Sequence, residues 1–225
     1  MKRVEILYED NHLIAVNKPA GFLVQGDNTG DETILEALQQ YIKITYNKPG
    51  AVFLAPNHRL DRPVSGVLLF SKTSKSLARV NALFQKNQVE KKYYAICEGL
   101  PAQLEGKLVN YLAKNRQKNI SYITSKGKPG AKESVLKYKV IKVINQKSLI
   151  EVRPLTGRPH QIRVQLAGIG VPIVGDLKYG AKTKMEDRSI ALHCASMRFI
   201  HPVKKEILEI EGEVPQLNIW RIFFE

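Results

Sequence analysis

The chain has 225 residues, 44% hydrophobic and 25% charged, which suits one large globular domain or two small ones and excludes a membrane-spanning chain, since no segment is long and uncharged enough to cross a bilayer. Its 35 Lys and Arg against 21 Asp and Glu give a formal net charge of +14, which favours a polyanionic partner such as RNA, DNA or an acidic membrane surface over a merely basic, inert exterior. The two cysteines, Cys97 and Cys194, stand far apart without metal-ligand spacing, so neither a disulfide framework nor a metal site is indicated.

At the start, "MKRVEILYEDNHLIAV" carries acids inside its apolar run and fails as a secretory signal, so the protein is expected in the cytoplasm. "VEILYED" and "HLIAVNKPAG" read as strands separated by the turn at Asp10-Asn11. Over residues 31–46, Ile34, Leu35, Leu38, Tyr41 and Ile42 recur at helical spacing before Asn47, Pro49 and Gly50 break the pattern. "VLLFSK" reads as a strand. A second amphipathic helix starts near Ser74, with Leu77, Val80, Leu83 and Phe84 facing inward, and gives way to the basic strand "EKKYYAICEG".

Residues 110–132 are rich in Lys, Asn, Ser and Gly and read as an exposed loop or a ragged hairpin. Its cations Lys114, Arg116, Lys118, Lys126, Lys128 and Lys132 sit near Tyr111 and Tyr122, a mixture suited to phosphate contact and base stacking and equally to a solvated loop. "SVLKYKVIKVI" and "SLIEVRPL" form a strand pair across residues 145–147, and "SIALHCASMRFI" and "ILEIEGEVP" are further strands. Strands in the majority, without regular β-α-β alternation or an internal repeat, predict an α+β fold with mostly antiparallel sheet in a single domain.

Three stretches could carry chemistry. In "HRLDRPVSG", Pro63 and Gly66 make a tight loop that mounts Asp61 rigidly, and the cations Arg59 and Arg62 favour its ionised form, which suits a nucleophile or an ion-pair acceptor. In "RPLTGRPHQIRVQLAGIGVPIVGD", Pro159 fits the first turn of a helix and Gly168 its end. Ile162 and Leu166 then face the core, and His160 and Arg163 share another face. In "EKKYYAICEG", Tyr93 and Tyr94 point to opposite sides of a strand, one toward the core and one toward a cleft, and alternation does not say which.

In order along the chain, "LYEDNHLIAVNKPAG", "HRLDRPVSGVLLFSKT", "KKYYAICEG", "PLTGRPHQIRVQLAGIGVPIVGDLKYG" and "RSIALHCASMRFIHP" resemble the RluA family of RNA pseudouridine synthases over nearly the whole sequence. The resemblance implies the pseudouridine synthase fold, with flanking helices and a central basic cleft, and isomerisation of selected uridines in ribosomal or transfer RNA without metal, cofactor or energy source. It implies that Asp61 is the catalytic aspartate, Tyr93 the tyrosine that packs on the target base, and Arg163 the arginine that pairs with the aspartate. Arg59, Arg62, His58, His160, Lys18 and Lys91 join them as expected RNA contacts, and a monomer is expected. The synthase pattern starts within the first ten residues, so the S4-type domain of many relatives is expected to be absent. Val64 replaces the usual threonine, which should alter packing and leave activity intact.

Two rivals belong to other classes. One is an RNA-binding assembly factor or chaperone that keeps the fold without turnover, against which the filled catalytic positions argue. The other is a glycoside hydrolase pairing Asp61 with an acid such as Asp176, which the cationic setting of Asp61 disfavours.

Overall fold

The computed structural model describes residues 4–26 and 30–225; the basic start at residues 1–3 lies outside them. In chain order the described elements are β1 (Glu5–Glu9), β2 (Leu13–Lys18), α1 (Ile34–Thr45), β3 (Ala55–Pro56), β4 (Ser65–Ser71), α2 (Ser74–Gln85), β5 (Glu90–Glu98), β6 (Glu105–Asn115), β7 (Ile120–Thr124), β8 (Lys132–Ile144), β9 (Lys147–Pro154), α3 (Gln161–Gly168), a 3-10 turn (Leu177–Tyr179), β10 (Leu192–Ile200), β11 (Ile207–Glu211) and α4 (Asn218–Phe224). This is the α+β class expected, with mostly antiparallel strands. The chain divides into two compact units, Met1–Glu90 with Cys194–Val214, and Lys91–His193 with Pro215–Glu225. None of the described helices is long and apolar enough to cross a membrane.

In the first unit the strand order is β1-β2-β4-β10, with β3 on β4 and β11 on β10. Leu13 to Val16 of β2 and every residue of β4 are buried, the mark of strands covered on both faces, where the period-2 pattern vanishes. Helix α1 begins at Ile34 because Thr33 caps it: Thr33 Oγ1 accepts from Glu36 N–H at 3.2 Å, and Glu36 Oε2 accepts from Thr33 N–H at 2.9 Å. Its buried stripe is Ile34, Leu38 and Ile42. Thr73 and Ser76 form the equivalent reciprocal cap on α2.

The second unit is an antiparallel run, β5-β9-β8-β6-β7. Asn145 and Gln146, with φ of 48° and 59°, make the two-residue turn between β8 and β9, a geometry that needs positive φ at both positions. The stretch 110–132 resolves as a hairpin: β6 pairs with β7 from Tyr111↔Thr124 to Asn115↔Ile120. Its cations are exposed, but its turn end is fastened, because Ser121 Oγ donates to the Pro159 carbonyl at 2.7 Å and Lys178 Nζ to the Asn119 carbonyl at 3.2 Å. Helix α4 was not expected from the sequence. Its Trp220 is buried with the ring centroid 6.0 Å from that of His193, and Phe224 meets Tyr94 edge-on at 5.1 Å.

Candidate active site

Asp61 opens a tight turn in which Val64 N–H donates to the Asp61 carbonyl at 3.0 Å, and β4 starts one residue later. Gly66 has φ +116°, and a Cβ there would stand 2.3 Å from the Cys194 carbonyl oxygen, so only glycine fits. The loop after β2 braces the turn. The Arg62 carbonyl accepts from Gly21 N–H at 2.8 Å, while Arg62 Nε donates to the Gly21 carbonyl at 2.9 Å and its Nη2 pairs with Asp31 at 2.7 Å. Val64 is buried, where an apolar side chain needs no hydrogen-bond partner.

Lys18 is a correction to the sequence reading, which placed it among the RNA contacts. It has no exposed surface, and its ammonium donates to the carbonyls of Pro19 (3.0 Å), Phe22 (2.9 Å) and Arg62 (3.2 Å). It therefore locks the loop after β2 to the Asp61 turn. Burial pulls its pKa down to about 7, opposed by the nearby Asp61 carboxylate and reinforced by Arg62. His58 is likewise a prop for this loop: its Nε2 accepts from Leu69 N–H at 3.2 Å and its ring stacks on Phe84 at 5.7 Å. Arg59 is exposed and lines an open groove of about 370 Å³ with Gln25, Asn57 and Asn81.

In the second unit the two tyrosines of β5 have different surroundings. Tyr94 packs against Phe224 of α4, with Lys92 Nζ 5.8 Å from its ring centroid, whereas Tyr93, 8% exposed, lies on the opposite face of β5 in register with Val152. The Lys91 ammonium lies beside the Gly157 turn, 3.9 Å from where a Cβ on that glycine would stand.

Helix α3 starts at Gln161, two residues after Pro159, because His160 takes a left-handed conformation with φ 54°. The expectation of a core face opposite a cationic face is replaced by burial all round, from Gln161 to Leu166. Its long polar side chains reach partners outside the helix, although Gln165 Oε1 is buried without one. Gln161 accepts from the Thr156 hydroxyl at 2.7 Å, and Gln165 donates to the Asn110 side chain at 2.7 Å. Arg163 makes a bidentate pair with Asp176, Nε to Oδ2 at 2.7 Å and Nη2 to Oδ1 at 2.8 Å, and its guanidinium lies 5.1 Å from the Tyr179 ring centroid. His160 Nδ1 meets the Tyr179 hydroxyl at 2.8 Å, which also accepts from Ser121 N–H at 2.8 Å. At 9% exposure His160 is a buried partner of Tyr179, which corrects its reading as an outward-facing cation. The sequence reading gave Tyr179 no role and named Asp176 only as an acid of the hydrolase rival. Their signal was "GDLKYG", an acid and a tyrosine three apart around a short turn. Asp176 is 1% exposed and committed to Arg163, so it offers no general acid for a hydrolase.

The RNA pseudouridylate synthase family model matches residues 12–168, more than half of the chain. The chain belongs to that family. Asp61, Tyr93 and Arg163 all fall inside the match. It is 35% identical over 214 residues to the ribosomal large subunit pseudouridine synthase C of Vibrio cholerae, covering 92% of this chain and 64% of that one. It is 31% identical over 242 residues to the tRNA pseudouridine synthase C of Vibrio parahaemolyticus, covering 98% of this chain and 94% of that relative. Among solved structures, the human RNA pseudouridylate synthase domain containing 4 superposes with a TM-score of 0.81 at 25% identity, over 97% of this chain and 92% of that one.

Proposed function

We propose that this synthase converts selected uridines of structured RNA to pseudouridine, with Asp61 as the catalytic carboxylate. The observation that carries the reading is the mount of Asp61: a turn locked by Lys18 and Arg62 and followed by a glycine that admits no side chain, inside a stretch the family model matches. Such a mount holds one carboxylate in place beneath a flipped nucleoside, the arrangement that chemistry at C1′ of a base-paired residue demands. The C1′–N1 bond breaks, the ring turns, the C1′–C5 bond forms, and the C5 proton leaves while N1 gains one. Tyr93 supplies a flat ring for the uracil and a hydroxyl for the C5 proton, and Arg163, held by Asp176 through two of its five N–H groups, is the third residue of the reading. Arg59 at its groove and Lys91 beside the Gly157 turn contact the RNA backbone. The reading places a monomeric enzyme in the cytoplasm with its RNA, and draws its substrate from the two classes named for its relatives, ribosomal and transfer RNA.

The test is tritium release from RNA labelled at uridine C5, comparing large-subunit ribosomal RNA with a transfer RNA pool. Release by wild type from one pool, and none with Asp61→Asn, is expected. Binding of both pools without release would favour an assembly factor instead.

A further inference from the structure

The strands of the second unit present two faces of opposite character. Tyr93, Val152, Tyr138 and Gly106 lie in register on one face, the same face on which Gln165 of α3 reaches Asn110. On the other face Lys107 stands directly opposite Lys137, and Lys137 directly opposite Arg153. By the register of β5 on β9, Lys92 falls beside Arg153 and continues the row. Lys107, Lys137 and Arg153 are exposed. Like charges placed directly opposite one another weaken a strand pair, so three in a row on adjacent strands work against this sheet's stability. Neighbouring strands are about 4.8 Å apart, so the three cations lie within about 10 Å, one Debye length, and act as a single field.

The surroundings leave that field largely intact. The next row holds Glu105, Lys139 and Glu151, in register with one another. Its acids pair with Lys139 at 4.0 Å and with Arg153 at 2.7 Å, and among the described residues no acid pairs with Lys107 or Lys137. On the other side lie Val109 and Leu155, 51% and 43% exposed. Lys137, Lys139, Ile141 and Arg153 also line an open groove of about 440 Å³.

We infer that this face, centred on Lys107, Lys137 and Arg153, is a second RNA-docking surface that grips phosphates, on the side of the sheet away from Tyr93 and α3. The inference rests on RNA being the substrate. A cation row beside exposed apolar side chains fits a phosphodiester backbone with its riboses, and the net charge of +14 makes a polyanion the complementary partner.

The test is filter binding of a transfer RNA pool and of large-subunit ribosomal RNA across a salt series, with wild type, Lys137→Glu and the double variant Lys107→Gln/Lys137→Gln. Each lost phosphate contact should lower the slope of log K against log salt by about 0.7–0.9, and the double variant should bind roughly tenfold more weakly near 0.1 M salt. Relief of like-charge repulsion should raise the melting temperature of both variants, which separates lost binding from lost folding. An unchanged slope on both RNAs would overturn the inference and point to an acidic protein as the partner of this face. Wild-type tritium release, measured on the same RNAs, tests the isomerase reading separately.

Discussion

At the scale of residues, buried charge is the feature with the sharpest consequences. Replacing Arg163 by methionine leaves the Asp176 carboxylate 1% exposed and without its bidentate partner. An orphaned buried charge costs about 3–5 kcal/mol, so Arg163→Met should lower the unfolding free energy read from a urea titration by that amount, and Arg163→Met/Asp176→Asn should lose clearly less than the two single changes summed. A double loss equal to the sum of the single losses would show that the two side chains do not act as a pair. Lys18 gives a prediction in pH. In the folded protein its proton leaves near a pKa of about 7, against 10.5 in the unfolded chain. Between those values the unfolded state binds more protons, so this residue alone makes stability rise with pH, fully gained by the upper value and absent below the lower one. Lys18→Met removes that slope, and the melting-temperature gap between wild type and variant should widen from about pH 6.5 to about pH 9.5.

At the scale of elements, α4 shows how a short segment anchors a sheet. Trp220 is 1% exposed, its centroid 6.0 Å from His193 and 6.1 Å from Phe224. Trp220→Ala opens a cavity costing about 3–5 kcal/mol, which a thermal melt should register as a drop of several degrees. A neighbouring exposed change, Ile222→Ala, should do far less, since Ile222 is 54% exposed. The reason the sequence hid this helix lies in the same residues: exposed Ile222 and Phe224 interrupt the apolar stripe, leaving no clean helical period over its 7 residues. Helices α1 and α2 were legible because their apolar spacing is local, whereas α3 was misread as amphipathic. Its Gln161, Arg163 and Gln165 look like a polar face until the acceptors and donors of other elements are known.

At the scale of the whole molecule, the chain is interleaved: the first unit needs Cys194–Val214 to complete a strand system begun before residue 90. A fragment 1–90 would keep β4 without its neighbour β10, exposing an edge that is buried along all of its length. That fragment should show little native circular dichroism and should aggregate. Addition of β10 and β11 in a fused chain is the change expected to restore order.

The sequence by itself determined most of the strands, helices α1 and α2, the turn that mounts Asp61 and the family, because hydrophobic periodicity and Pro-Gly punctuation act over a few residues. Only the tertiary structure decided which charges are buried and what they serve. Lys18 reads from sequence as a surface cation, as lysines nearly always are, until carbonyls as far as 44 residues away enclose it. Arg163 reads as an exposed cation until Asp176, 13 residues on, fills its fork. Such pairings depend on chain segments meeting in space, which local residue order does not encode, and burial then fixes whether a charge serves the substrate or the scaffold.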